Sequence, residues 1–118
     1  MQIDIFHDTA CPWCRIGKRN LEIALGELDG MPAVVNYRSF FLNDSIPPEG
    51  LAFRPFMEAK GGGQVPLEQF FALPRERGAE VGLEFNFDMI EKAPNTTLSH
   101  RLIALSSVER RDEIVEAI

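Results

Sequence analysis

Apolar residues follow two different periods along the first third of the chain. From Ile3 to His7 they alternate with polar ones and are β-branched or aromatic, the pattern of a short strand ending just before Asp8. From Trp13 onward, Ile16, Leu21, Ala24, Leu25 and Leu28 recur near a helical period, which predicts an amphipathic helix closed by Asp29 and Gly30. Pro12 suits the first turn of that helix, where no N–H partner is needed. The run Ala33 to Leu42 is again β-branched and aromatic and predicts a second strand. Strand, helix and strand within about 40 residues make a βαβ unit with parallel strands.

After "NDSIPPEG" the pattern turns helical, with segments around Leu51 to Lys60, Leu67 to Val81, Thr96 to Ser107 and Asp112 to Ile118. Pro74 is expected to kink or divide the second of these, and Gly61 to Gly63 to form a flexible joint. "GLEFNFD", around Phe85, reads as a brief extended piece. The expected fold is thus α/β, with a βαβ unit over residues 1–44 and an α-helical segment over 45–118. A two-stranded parallel sheet keeps unpaired backbone groups on its edges, so the edge of Ile3 to His7 needs a cover. Two-fold pairing of identical chains is the commonest solution, and a homodimer or larger assembly is expected.

Composition narrows the function. With 118 residues, 45% hydrophobic and 25% charged, the chain suits one folded domain. Its 12 Lys and Arg against 18 Asp and Glu give a net charge of −6, a field that repels phosphate backbones, so nucleic acid is not an expected partner. The start "MQIDIFHD" has no basic leader, and no window reaches the roughly 18 apolar residues of a membrane span, so no membrane partner and a cytoplasmic address are expected. In a reducing compartment a cysteine pair is more often catalytic or metal-binding than a structural disulfide.

Both cysteines lie in "TACPWCRIG", at the junction of the predicted strand and helix. A Cys-x-x-Cys at a helix N-terminus sets the two α-carbons near the separation a disulfide needs. The free N–H groups and the macrodipole there favour an anion, so Cys11 is expected to be the attacking thiolate. Cys14, one turn inward, is shielded and placed to resolve a mixed disulfide. Pro12 and Trp13 complete the motif. Arg15, four residues after Cys11, could direct its cation at the same thiolate or point into water. His7 either tunes the motif or merely ends the strand. A zinc site would need four ligands, and the chain offers one Cys-x-x-Cys with His7 and His100 at no finger spacing, so no metal is expected.

Three blocks, "DIFHDTACPWCRIGKRNLE", "YRSFFLNDSIPPEG" and "GLEFNFDMIEKAPNTTLSHRLIAL", together resemble the FrnE-type branch of the DsbA-like thioredoxin-fold oxidoreductases, in order and through essentially the whole chain. The resemblance implies Cys11 as nucleophile and Cys14 as resolving cysteine. It also implies that Pro94, Asn95, Thr96, His100 and Arg101 belong to a helical insertion beside the active site, with Asn95 and His100 on its substrate side. Read from the residues alone, Asn95 is a helix cap and His100 a packing residue among Leu98, Leu102 and Ile103. Two departures stand out. Arg15 occupies a position that is usually aromatic in the family. Family members also continue into a loop with a cis-proline facing the cysteines, two antiparallel strands and a helix, so a thioredoxin-like βαβ unit with a helical insertion, lacking the C-terminal ββα half, is expected here.

The function these observations imply is thiol–disulfide oxidoreductase or isomerase chemistry through mixed disulfides, with thiol or disulfide substrates, protein or small molecule, and no separate cofactor. An alternative is a glutathione-dependent isomerase or transferase of the 2-hydroxychromene-2-carboxylate isomerase or kappa type. Those usually carry serine at the nucleophile position, and Cys11 with Cys14 argues against it. A non-catalytic assembly module and a redox sensor holding zinc transiently are the remaining alternatives.

Overall fold

The computed structural model describes residues 1–28, 30–63 and 65–118. In chain order the elements are β1 (Gln2–His7), α1 (Pro12–Glu27), β2 (Val34–Ser39), β3 (Leu51–Ala52), α2 (Phe53–Lys60), α3 (Leu67–Glu80), a 3₁₀ turn (Phe87–Met89), β4 (Lys92–Ala93), α4 (Thr97–Leu105) and α5 (Val108–Ala117). They form two compact units, one of residues 1–43 with 96–118 and one of residues 44–95. The boundary after residue 43 lies one residue from the expected one, whereas α4 and α5, expected in the helical segment, group with the βαβ unit, because α4 packs on β2 and α5 on α4. The helical unit therefore ends at Asn95 rather than at the end of the chain.

In the first unit β1 and β2 pair in parallel from Gln2↔Val34 to His7↔Ser39. Ile3, Ile5 and His7 therefore share one face with Val35 and Tyr37, while Asp4 on the other face accepts from Asn36 at 2.9 Å. The second strand is shorter than the apolar run predicted. Beyond Ser39 the backbone leaves the ladder: the Phe40 N–H reaches the His7 carbonyl at 2.9 Å, and the Leu42 N–H is taken by the Asp8 carboxylate at 2.8 Å. Pro12 stands at the start of α1 as expected, and Cys11 is its N-cap. Of the pair expected to close α1, Asp29 lies outside the described residues, and Gly30 takes φ +70°, a left-handed conformation natural to glycine. Helix α5 begins four residues before the predicted Asp112, since its first turn is charged and carries no apolar period.

The second unit is organised around phenylalanines. Phe71, 2% exposed, stacks on Phe87 with ring centroids 4.4 Å apart, and Phe53 and Phe85 flank them. Leu67 and Met57 complete the cluster. Helix α3 runs through Pro74 undivided. Gly62 and Gly63, both at positive φ, close a hydrogen-bonded turn after α2, where the Gly63 N–H reaches the Glu58 carbonyl at 3.1 Å, rather than an open joint. The "GLEFNFD" piece leads into the 3₁₀ turn and forms no strand of its own. The two-residue antiparallel pair β3–β4 is too short to show alternation in sequence.

Candidate active site

The site grows out of the turn between β1 and α1. The Cys11 N–H bonds back to the Asp8 carbonyl at 3.1 Å, and the Asp8 carboxylate accepts from the Ala10 N–H at 3.3 Å and from Leu42 across the chain. Asp8 is 4% exposed, so one buried side chain fixes both the turn before the cysteines and the turn after β2. Thr9 and Ser99 share a hydrogen bond of 2.7 Å between their hydroxyls, which ties the same turn to α4.

Cys11 and Cys14 are both free and half-buried. They line a cleft of about 80 Å³ with Ile5, His7, Lys18 and Tyr37. Burial first, and a hydrogen bond with Cys11 against the opposing help of an Asp8 backbone bond, push the Cys14 thiol up to about 11. The two sulfurs therefore share one proton-bearing contact at the N-terminus of α1, an arrangement from which the pair can open and close as a disulfide. Trp13, between the two cysteines in sequence, is 47% exposed.

The flanking residues divide. His7 is buried, its ring edge-on to Tyr37 at 5.4 Å and to His100 at 5.6 Å. Burial foremost, then repulsion from His100, holds His7 below the usual histidine range. Arg15 lines the same cleft and pairs with Glu116 of α5 at 3.1 Å, an exposed contact. His100 is 3% exposed and packed against Phe41 and His7. Its Nε2 stands 3.6 Å from the Asp8 carboxylate. Asn95 belongs to the second unit, where it donates to the Ile46 carbonyl at 2.6 Å, while the N-cap of α4 is Thr96.

Lys18 was not singled out from the sequence. It lies seven residues after Cys11, on the same face of α1 as both cysteines, a spacing that marks it in retrospect. Only 7% exposed, it bonds Glu22 on its own helix, and Glu116 at 3.2 Å and Asp112 at 3.5 Å on α5. Burial works against its charge, but these carboxylates prevail and hold it above the usual lysine range. Tyr37 donates to Asp112, and burial with that bond pushes its phenol up. Among the described residues, no three His, Cys, Asp or Glu side chains converge as a metal site requires, and no helix is long and apolar enough to cross a membrane.

Comparison with known proteins bears on this constellation. The family described as the DSBA-like thioredoxin domain matches residues 2–118. The chain belongs to that family. A solved structure, that of a probable DsbA oxidoreductase from Streptomyces coelicolor, superposes with a TM-score of 0.78 at 28% identity. The match covers 99% of this chain and 51% of the Streptomyces chain, so the DSBA-like chain described here spans about half the length of that relative. No curated protein sequence matches it. The fold of this DSBA-like domain is thioredoxin-like, with the cysteines at the β1–α1 junction.

Proposed function

We propose that the chain is a thiol–disulfide oxidoreductase of FrnE type, in which Cys11 attacks and Cys14 resolves. The observation that carries this reading is the unequal placing of two free thiols on one helix: Cys11 is the N-cap of α1, and Cys14 lies one turn inward with its thiol held up near 11. Family membership and the Streptomyces relative support it. Pro12 starts the helix that presents the pair, and Trp13 offers an exposed apolar surface for the substrate. Substrates are thiols or disulfides, the address is the cytoplasm, and no separate cofactor enters the exchange.

The chemistry balances within the pair. The Cys11 thiolate attacks a substrate disulfide, forming one S–S bond and releasing one thiolate; Cys14 then attacks the Cys11 sulfur, closing the internal disulfide and releasing the second. The substrate is reduced by two electrons and the pair oxidised by two. Incubating Cys14→Ser with oxidised glutathione should leave a glutathione adduct visible in the intact mass, while the unaltered protein should pass to the internal disulfide. Equal adducts on Cys11→Ser and Cys14→Ser would remove the assigned roles.

The same reading extends to assembly. Among the described residues, the β1–β2 sheet has two strands and hence two open edges. A homodimer or larger assembly would cover one of them, and light scattering at micromolar concentration should give at least twice the chain mass; a monomer would remove this part of the reading.

A further inference from the structure

Behind the cysteines lies a buried cluster that thiol exchange as described above does not use. His7 and His100 are 6% and 3% exposed, and His7 Nε2 and both ring nitrogens of His100 have no hydrogen-bond partner among the described residues. Asp8, equally buried, sits 3.6 Å from His100 Nε2. Leaving three buried imidazole nitrogens without a hydrogen bond from the chain costs stability, and phenylalanine would fill either space without that cost. His7 lines the cleft that holds Cys14. We propose that His7 accepts the Cys14 proton as Cys14 attacks the mixed disulfide, with the Asp8 carboxylate balancing the charge that forms.

The need for such an acceptor follows from the resolving step. With its thiol held near 11, Cys14 is ionised to the order of one part in 10⁴ at pH 7. Loss of its proton to bulk water would also leave two anions, Cys14 and Asp8, side by side in a buried site. Passing the proton to His7 keeps the net charge of the site constant. The Cys14 Sγ–Cys11 Sγ bond forms, the bond from Cys11 to the substrate sulfur breaks, and that sulfur leaves as a thiolate. The proton rests on the imidazole, which then yields it to the leaving thiolate or to water. In the reverse direction the same imidazolium would protonate Cys14 as it leaves. Burial keeps His7 neutral at pH 7, the state an acceptor needs. The other ionisable groups facing the cleft are Lys18 and Arg15 of α1, Tyr37 of β2 and Glu116 of α5. Lys18, Arg15 and Glu116 are engaged with one another or with Glu22, and Tyr37 with Asp112, so none of them is a free base.

This inference rests on the proposed roles of Cys11 and Cys14, and one experiment separates the two. Mixing the reduced chain with excess dithiobis(nitrobenzoate) should release nitrothiobenzoate in two phases. The first depends on reagent concentration and reports attack by Cys11; the second does not and reports resolution by Cys14. His7→Phe should slow only the second phase, about tenfold or more at pH 7. Its second-phase rate should then climb with hydroxide concentration and approach that of the unaltered protein near pH 9. His7→Gln, which keeps a polar side chain at the strand end, should behave alike. A second phase that is unchanged in both variants, or lowered by one constant factor at every pH, would overturn the proton-accepting role and leave the cysteine assignment standing. Release of only one equivalent of nitrothiobenzoate per chain by the unaltered protein would overturn both.

Discussion

The two units bury opposite kinds of residue. In the helical unit the buried hydrophobic side chains are Ile46, Leu67, Phe71, Leu83, Phe87 and Ala93, whereas the cysteine-bearing unit buries only Ile16 and Ile103 among its described apolar residues. Among the described residues, all five buried polar ones, His7, Asp8, Lys18, Thr96 and His100, fall in the cysteine-bearing unit. One unit is held by dispersion between stacked rings, the other by hydrogen bonds on the turn before Cys11 and by ion pairs between Lys18 and α5. The same unit leaves Phe6 at 67% and Leu105 at 86% exposure. Polar groups placed under a reactive turn fix its geometry and its proton balance, which an apolar core cannot do, and they are the costlier way to fill space.

The contrast is broken most forcefully at Phe71. It touches Phe53, Phe70 and Phe87, so truncation to alanine removes the centre of the stack. A loss of about 3–5 kcal/mol in urea unfolding is expected. A loss under about 1 kcal/mol would mean that the ring stack does not hold its unit together.

Gly78 tests the same packing from the other side. It is buried in α3, and a Cβ there would lie 2.5 Å from the Phe85 ring. Gly78→Ala must push that ring out of its place, at a cost of about 1–3 kcal/mol, read as a lower urea midpoint. Restoring the midpoint with a smaller residue at Phe85 would locate the clash.

In the cysteine-bearing unit the corresponding probe is pH. Burial lowers His7 in the folded state below its unfolded value of 6.5, so the unfolded chain binds more protons as pH falls. Stability conferred by the neutral ring is complete above about pH 6.5 and is lost as pH drops toward and through the folded value, by at most about 1.4 kcal/mol per pH unit. Thermal unfolding between about pH 5 and pH 8 should show this slope, and His7→Phe should remove it. A slope that survives in His7→Phe would assign the loss to another group.

What could be read in advance follows the same divide. The periods of 2 and 3.6 located β1, α1, β2 and the helical segments, because each element presents an apolar face to its own unit. The first turn of α5 carried no such face, being held by charge, with Arg110 and Glu113 paired at 3.3 Å. The cysteines were legible from spacing alone, and Lys18 would have been, since helix periodicity aligns it with them. The meeting of His100 with His7 and Asp8 was not, because it joins residues from opposite ends of the chain through tertiary packing. The partner of Arg15 was hidden for the same reason: Glu116 arrives from the last helix.

The smallest expected effect is also the one whose sign sets the two units apart. Gly17 lies inside α1, is exposed, and has nothing within 4 Å of where a Cβ would stand. A glycine in a helix interior gives the unfolded chain freedom that alanine lacks, and nothing in the folded state needs its smallness. Gly17→Ala should therefore stabilise by roughly 0.5–1 kcal/mol, seen as a raised urea midpoint with an unchanged slope. The identical substitution at Gly78 has the opposite sign, because there the helix presses on a ring. If Gly17→Ala destabilised instead, that face of α1 would have to be covered, and a second chain packed against it in solution would be the first cover to look for, by repeating the measurement across protein concentrations.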